Sequence, residues 1–437
     1  MNEKPNIVII LCDTLRYDYF QEYLGTNEDF RNRLQEFENF ERAYSPSSWT
    51  LPSHFSLFTG LYPSEHGVHE SHESMLDEIF QKAIDYKGKF LTDIAKSNGY
   101  KTIGISSNLM ISSITGFDRK FDEFYIVDTG KLSGFEVSNS YKPSTQKLQL
   151  VLSRVISNVR GFPQNKGYKV ILDIFNNLNF SNPFFTFINL MEMHDPYFRN
   201  YGHIDDTKLI LNDLFGLIPI SGKKINNIRI AYYKQIRKVA FTITRLLNVL
   251  KEKKVLENTI VIITSDHGQS LKERNFYGHG IFLYDELIHI PMFVKLTNSI
   301  SKKLNSKSCV NLVDVHNFLE AVISGDNNSV RFLERDFSYA EVFGVQYSKY
   351  KLKTYIKSQE ALMKYEMINI PRKAIISSNY KLTINSNSGV EEFYTTKLTH
   401  QIDQNEIKEI IFNLSIFNLD KGFRIDEEQI ISKTYGV

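Results

Sequence analysis

The N-terminal stretch MNEKPNIVIILCDTLRYD, residues 1–18, decides how the rest of the chain is read. Ile7 to Leu11 is an unbroken apolar run. It is too short to span a membrane, and no small-residue cleavage site follows it. An unbroken run, as opposed to an alternating one, predicts a strand covered on both faces. Asp13 comes directly after that strand. Working outward, similar runs recur at Lys101–Ile105 (KTIGI), Phe184–Leu190 (FFTFINL), Thr259–Ile263 (TIVII) and Pro291–Lys295 (PMFVK), separated by polar loops and helical stretches. Strands alternating with helices predict an α/β fold, a doubly wound and mainly parallel sheet. In such sheets ligands bind beyond the carboxyl ends of the strands.

The remaining organisation fits around that sheet. Asn227 to Val255 has helical spacing, and its Lys and Arg residues read as a solvated face. From Asp336 the pattern changes. RKAIISSNYKLTINSNSG (372–389) predicts a hairpin or small antiparallel sheet with an Asn/Ser/Gly turn. The expected division is a catalytic α/β domain over 1–335 and a small α+β C-terminal subdomain over 336–437. Stretches of about 126–180 and 200–225 carry no legible motif and are expected to be specificity loops.

The 437 residues suffice for a large core. Lys and Arg (52) nearly balance Asp and Glu (50), so the formal net charge of +2 argues for neither nucleic acid nor an anionic membrane as a partner. Two cysteines, Cys12 and Cys309, make no disulfide framework. The expectation is a cytoplasmic protein without a membrane span.

Four clusters carry chemistry. Asp13, at the end of the first strand, suits a metal ligand or catalytic acid, and taken alone could equally cap the next helix. In SSWTLPSHFSLFTGLYPSEHG (47–67), Pro52 suits a first helical turn. Thr50 then lies at or just before the N-cap, where free N–H groups and the helix dipole would stabilise an alkoxide or oxyanion, although by itself it could be only a capping threonine. In TSDHGQS (264–270), Asp266 and His267 pass the end of the fourth strand. A turn at Gly268 lets both face one point, and an oxygen donor beside an imidazole favours Zn²⁺ or Mn²⁺ over Ca²⁺. The last cluster is a pair of loop histidines, His194 in NLMEMHDPY and His279 in YGHG, each near a strand end and able to serve an anion or leaving group.

Taken together, in order and spacing, these motifs resemble the sulfatase branch of the alkaline phosphatase superfamily. The resemblance runs from Asp13 through Thr50-Leu-Pro-Ser-His, His194-Asp-Pro-Tyr and Ser265-Asp-His-Gly to His279–Gly280. It extends to GYKTIGISSN (99–108), GFDRKFDEFY (116–125) and NYKLTINSNSGVEEFY (379–394). It implies an ester hydrolase with a covalent intermediate on Thr50 and a small-molecule or glycan ester as substrate. It also implies one divalent ion (Mn²⁺, Zn²⁺, Mg²⁺ or Ca²⁺) held by Asp13, Asp266 and His267 with Thr50 beside it. His194 and His279 become catalytic contacts, and Asn108, His54 and Lys272 substrate-binding positions.

The departures from that pattern set the expected chemistry. Sulfatases carry Cys or Ser in place of Thr50, converted to formylglycine, with Arg in place of His54. Threonine cannot become formylglycine, so phosphate esters, diesters foremost, are expected over sulfate esters. Thr14 replaces a second acidic ligand, which points to one metal, although Glu192, His194 and His279 could hold another. A lysine usual after the His-Gly pair is missing, and Lys272 is the candidate to replace it. The alternatives are a phosphotransferase moving a head group to a sugar or polymer, a true sulfuric ester hydrolase, or an inactive scaffold.

Overall fold

The computed structural model describes residues 4–71, 76–127, 166–180, 183–195, 197, 220–300, 304–345, 358–395 and 408. The opening apolar run forms β1 (Asn6–Cys12), buried throughout. There follow β2 (Glu38–Asn39), β3 (Arg42–Tyr44), β4 (Lys101–Ser106), β5 (Glu123–Ile126), β6 (Phe184–Leu190), β7 (Thr259–Thr264), β8 (Ser270–Leu271), β9 (Tyr277–Gly278), β10 (Met292–Lys295) and β11 (Cys309–Asn311). The C-terminal strands are β12 (Phe337–Val342), β13 (Arg372–Ser377), β14 (Tyr380–Asn385) and β15 (Gly389–Thr395). The main sheet has the order β2-β10-β7-β1-β6-β4-β5, with β1 at its centre.

β7, β1, β6, β4 and β5 are parallel, as the alternation of strands with helices predicts. Successive side chains of a strand point to opposite faces. Ile7, Ile9 and Leu11 therefore enter one apolar cluster, while Val8, Ile10 and Cys12 enter the other. The helices Tyr17–Thr26, Tyr168–Asn177 and Gly222–Glu252 cover the second face through Phe20, Ile171 and Ile236. The helices Thr50–Thr59, Leu91–Ser97 and Leu312–Ile323 cover the first through Leu57, Leu91 and Phe318.

Three readings need adjustment. The Pro291–Lys295 run is β10, antiparallel to both β7 and β2; an apolar run reports burial and carries no sign of direction. The long helix starts at Gly222, before Asn227, because Ser221 accepts a hydrogen bond from Lys224 N and caps it. Of the expected specificity loops, 128–165 and 198–219 lie outside the described residues, whereas Tyr168–Asn177 is helical.

The C-terminal strands form one antiparallel sheet, β12-β13-β14-β15. β13 and β14 are the expected hairpin. The next turn is held by the Asn385 carboxamide oxygen, which accepts from the Asn387 and Ser388 amides. Ala340, Ala374 and Ile376 of this sheet pack with Ile281, Leu283 and Leu287. Among the described residues no helix is long and apolar enough to cross a membrane.

Candidate active site

Three strands end at one place. β1 delivers Asp13, whose amide donates to Leu190 O at the end of β6 (2.9 Å). β7 delivers Asp266 and His267. The crossing is locked by Ser265, whose Oγ donates toward Cys12 O and His267 O (2.7 Å each) and accepts from Leu15 N (2.9 Å). Gly268 is required here, because a Cβ would stand 2.1 Å from Glu286 O. Its amide donates to Leu287 O at 2.7 Å, which brings the chain back under the sheet edge.

The ligand atoms of Asp13, Asp266 and His267 all lie within 4.8 Å of one another, and all three residues are buried. Among the described residues no other group of three or more His, Cys, Asp or Glu side chains converges in this way, so Glu192, His194 and His279 do not form a second such cluster. Asp13 Oδ2 accepts from Asn108 Nδ2 (2.6 Å), and Asp266 Oδ1 accepts from the amides of Thr14 (3.1 Å) and His267 (2.9 Å). Asp13 Oδ1 and Asp266 Oδ2 are buried without a hydrogen-bond donor. His267 Nδ1–H donates to Gly268 O at 2.7 Å, which leaves the Nε2 lone pair facing the carboxylates. Two orphaned carboxylate oxygens and one imidazole lone pair form a donor set suited to a divalent ion.

The electrostatics agree with the geometry. Burial, and next the Asp266 carboxylate, push the Asp13 pKa up to about 6. Burial pushes Asp266 up to about 7 and His267 down to about 4. Each shift expresses the cost of holding charge in a dry site, negative on Asp13 and Asp266 and positive on His267.

Thr50 is the first residue of its helix, with Trp49 at the N-cap, so it does not itself cap the helix. Its hydroxyl lies 3.3 Å from His267 Nε2. Gly60 closes the helix in the left-handed conformation (φ 71°). Asn108 and His54, expected at the substrate, have their polar groups engaged by the protein. Asn108 Oδ1 accepts from Met110 N (2.8 Å), while its amide holds Asp13. The buried His54 donates from Nδ1 to Thr50 O (2.8 Å) and accepts at Nε2 from Asn189 (3.0 Å), so it pins the first helical turn to the end of β6. Lys272 turns its ammonium to Asn275 O (2.7 Å), within its own loop.

His194 and His279 do come together, with ring centroids 5.5 Å apart, and His279 lies 4.6 Å from the His267 ring. Burial alone would lower His194, but the Asp195 carboxylate at 3.0 Å overcomes it and lifts the pKa to about 10. Burial holds His279 well below its ordinary value. Its Nδ1–H donates to Gln269 Oε1 (2.6 Å), leaving an Nε2 lone pair. One histidine is thus kept as a cation and the other as a neutral base.

The sequence reading missed Asn189, Ser265, Tyr232 and the conformation of Thr14. Asn189 was visible as the one carboxamide in FFTFINL. Thr14 has φ 58°, a strained conformation for a β-branched residue. It is held there because its amide faces Asp266 and its carbonyl accepts from Tyr232 OH (2.7 Å). Nothing local in the sequence reports that contact.

The doubly wound fold is shared with solved hydrolases, a sulfatase and a phosphonate monoester hydrolase among them. A 2-O GAG sulfatase superimposes with a TM-score of 0.62 at 15% identity, covering 96% of this chain and 92% of its own. The phosphonate monoester hydrolase of Agrobacterium radiobacter gives 0.60 at 15% identity, covering 95% of each chain. The chain belongs to the Sulfatase family, whose profile matches residues 5–322. Among its relatives, an arylsulfatase of Clostridium perfringens is 23% identical over 366 residues, 73% of this chain and 74% of that protein. The protein is a sulfatase-family hydrolase, and the family is metal-dependent.

Proposed function

We propose that the protein cleaves phosphate esters, diesters foremost, by transfer to the unmodified hydroxyl of Thr50. The observation that carries this reading is Thr50 Oγ1 at 3.3 Å from His267 Nε2, beside the orphaned oxygens of Asp13 and Asp266. Asp13, Asp266 and His267 would hold a divalent ion, with Mn²⁺ or Zn²⁺ favoured, whose positive charge would lower the Thr50 hydroxyl pKa. The Thr50 hydroxyl releases its proton to water, and its oxygen attacks phosphorus in line with the leaving oxygen, whose bond to phosphorus breaks. His194, held cationic by Asp195, donates the proton that the leaving oxygen needs. Water then attacks the Thr50 ester at phosphorus, expelling the Thr50 alkoxide and giving its proton to the His279 Nε2 lone pair, and that proton passes to His194, whose ring centroid is 5.5 Å away, to restore the starting state. Backbone N–H groups of the first helical turn and the helix dipole balance charge on the equatorial oxygens.

The preference over sulfate follows from the nucleophile. A formylglycine hydrate can expel sulfate by collapsing to the aldehyde, and a threonine ester has no such exit. The organic half is a small molecule or glycan. One structural neighbour was solved with its substrate D-glucosamine-2-N,6-O-disulfate, and another is a phosphonate monoester hydrolase. The test is a panel of phosphate mono- and diesters and sulfate esters with Mn²⁺ or Zn²⁺ added, with the trapped intermediate mapped by mass spectrometry. Label on Thr50, loss of turnover by about 10⁴-fold or more in Thr50→Ala, and residual activity in Thr50→Ser are expected. Label on Ser47 or Ser48 would refute the nucleophile, and a preference for sulfate esters would overturn the substrate class.

A further inference from the structure

The segment NYKLTINSNSGVEEFY has no part in the chemistry above, yet it holds a fully buried lysine. Lys381 on β14 has no exposed surface. Its ammonium donates to Leu283 O (2.6 Å) and Asp285 Oδ1 (2.8 Å), and lies 3.5 Å from Glu392 Oε2 of β15. The other Asp285 oxygen accepts from Tyr394 OH, also on β15. Two residues of the C-terminal sheet thus grip the two oxygens of one carboxylate.

Asp285 opens the short helix Asp285–Ile288, and the last carbonyls of that helix reach into the active site. Leu287 O accepts from Gly268 N at 2.7 Å, and Glu286 O stands where a Cβ on Gly268 would be. Gly268 O in turn accepts from His267 Nδ1 and sets which nitrogen faces the carboxylates. The next carbonyl, Ile288 O, accepts from Ser45 N at 2.8 Å. Ser45 Oγ bonds Ser53 Oγ at 2.9 Å, in the first turn of the Thr50 helix, and also donates to Asp266 O. From Asp285 the contacts divide, one branch ending at His267 and the other at Thr50 and Asp266.

We propose that Lys381 and Tyr394 are positioning residues: through Asp285 they fix the helix whose carbonyls orient His267 and the Thr50 turn. The C-terminal sheet thereby sets the geometry of the site without touching substrate. The proposal rests on the reading of Asp13, Asp266 and His267 as the cation site.

The test measures Mn²⁺ affinity by titration calorimetry, together with kcat, KM and melting temperature, on the full chain. Lys381→Met is expected to weaken Mn²⁺ binding by about 10- to 100-fold, the range typical of residues that orient ligands, and to lower kcat more than it raises KM. Tyr394→Phe, which removes one hydroxyl and keeps the packing, should move the same quantities in the same direction by less. Lys381→Arg should recover part of the loss. Lys373→Met is the control. Lys373 pairs with Glu341 in the same sheet, 3.6 Å apart, and its replacement should lower the melting temperature while leaving Mn²⁺ affinity unchanged. Wild-type affinity in a folded Lys381→Met overturns the proposal. So does an equal loss in Lys373→Met. Should Lys381→Met fail to fold, unchanged Mn²⁺ affinity in Tyr394→Phe overturns it. Wild-type protein that binds no divalent cation would instead remove the metal reading beneath it.

Discussion

Two clusters of buried charge meet the segment 281–288 from different sides. At the sheet edge, Asp13 and Asp266 keep one oxygen each without a donor. At the C-terminal sheet, both oxygens of Asp285 are taken, and Lys381 has carbonyl and carboxylate acceptors. The first cluster has Asp13 and Asp266 pushed up by burial, whereas Asp285 is held below its usual range, with Lys381 overcoming burial. A buried charge is costly in either place, the carboxylates of Asp13 and Asp266 in the first and the Lys381 ammonium in the second. Where its partners are built in, it holds structure. Where an oxygen is left open beside an imidazole lone pair and a hydroxyl, the arrangement suits a ligand from outside.

The widest break in that comparison comes from removing a ligand. His267→Ala is expected to lose the bound metal by elemental analysis while keeping its fold by circular dichroism; equal metal in both proteins would reduce the cluster to another structural one. Next come the histidines. His194→Ala or His279→Ala should cut turnover by about 10²–10⁴-fold with the metal retained, if each moves a proton. Loss of His194 should matter most with substrates whose leaving group is a poor one. Unchanged turnover in both variants would return them to a structural role.

Asn108 sharpens the contrast, since it supports a ligand and does not serve as one. Asn108→Ala should cost about 10–100-fold in metal affinity, with Asn108→Asp unable to restore it because the donor to Asp13 is lost. The smallest effect is on stability. The Asp266 pKa in the folded, metal-free protein is raised from 3.8 to about 7. Its contribution to stability is therefore complete below about pH 4 and is lost as pH rises to 7. Thermal melts of metal-free protein should show Asp266→Asn gaining on wild type across that window and no further above it. Added Mn²⁺ should reverse the order at pH 7, and a difference flat in pH would contradict the shift.

Much of this was legible before any coordinates. Runs such as NIVIILC and TIVIIT state their burial through their unbroken apolar centres, Ile7–Leu11 and Ile260–Ile263, because a central strand is covered on both faces. The residues just past those runs, Asp13, Asp266 and His267, inherit the sheet's carboxyl edge by that placement alone. The hairpin of β13 and β14 was legible from its turn residues. The direction of β10 was not, since hydrophobicity is the same for a strand read either way.

The chain's own order of residues determined the sheet, the meeting of Asp13, Asp266 and His267 and the place of Thr50, because each depends on local pattern: apolar period, strand end, first helical turn. Which side chains support the triad was decided by tertiary contacts. Asn108 on Asp13, Asn189 on His54 and Tyr232 under Thr14 are pairs 95, 135 and 218 residues apart. Asn108 and His54 gave no sign in sequence of the partners that engage them, Asp13 for one and Thr50 and Asn189 for the other, because a polar side chain near a site carries no mark of its partner. Lys381 is the extreme case. A lysine in a strand reads as solvated, and only the folding of the C-terminal sheet onto 281–288 surrounds it with the carbonyl and carboxylates that make burial of its charge tolerable.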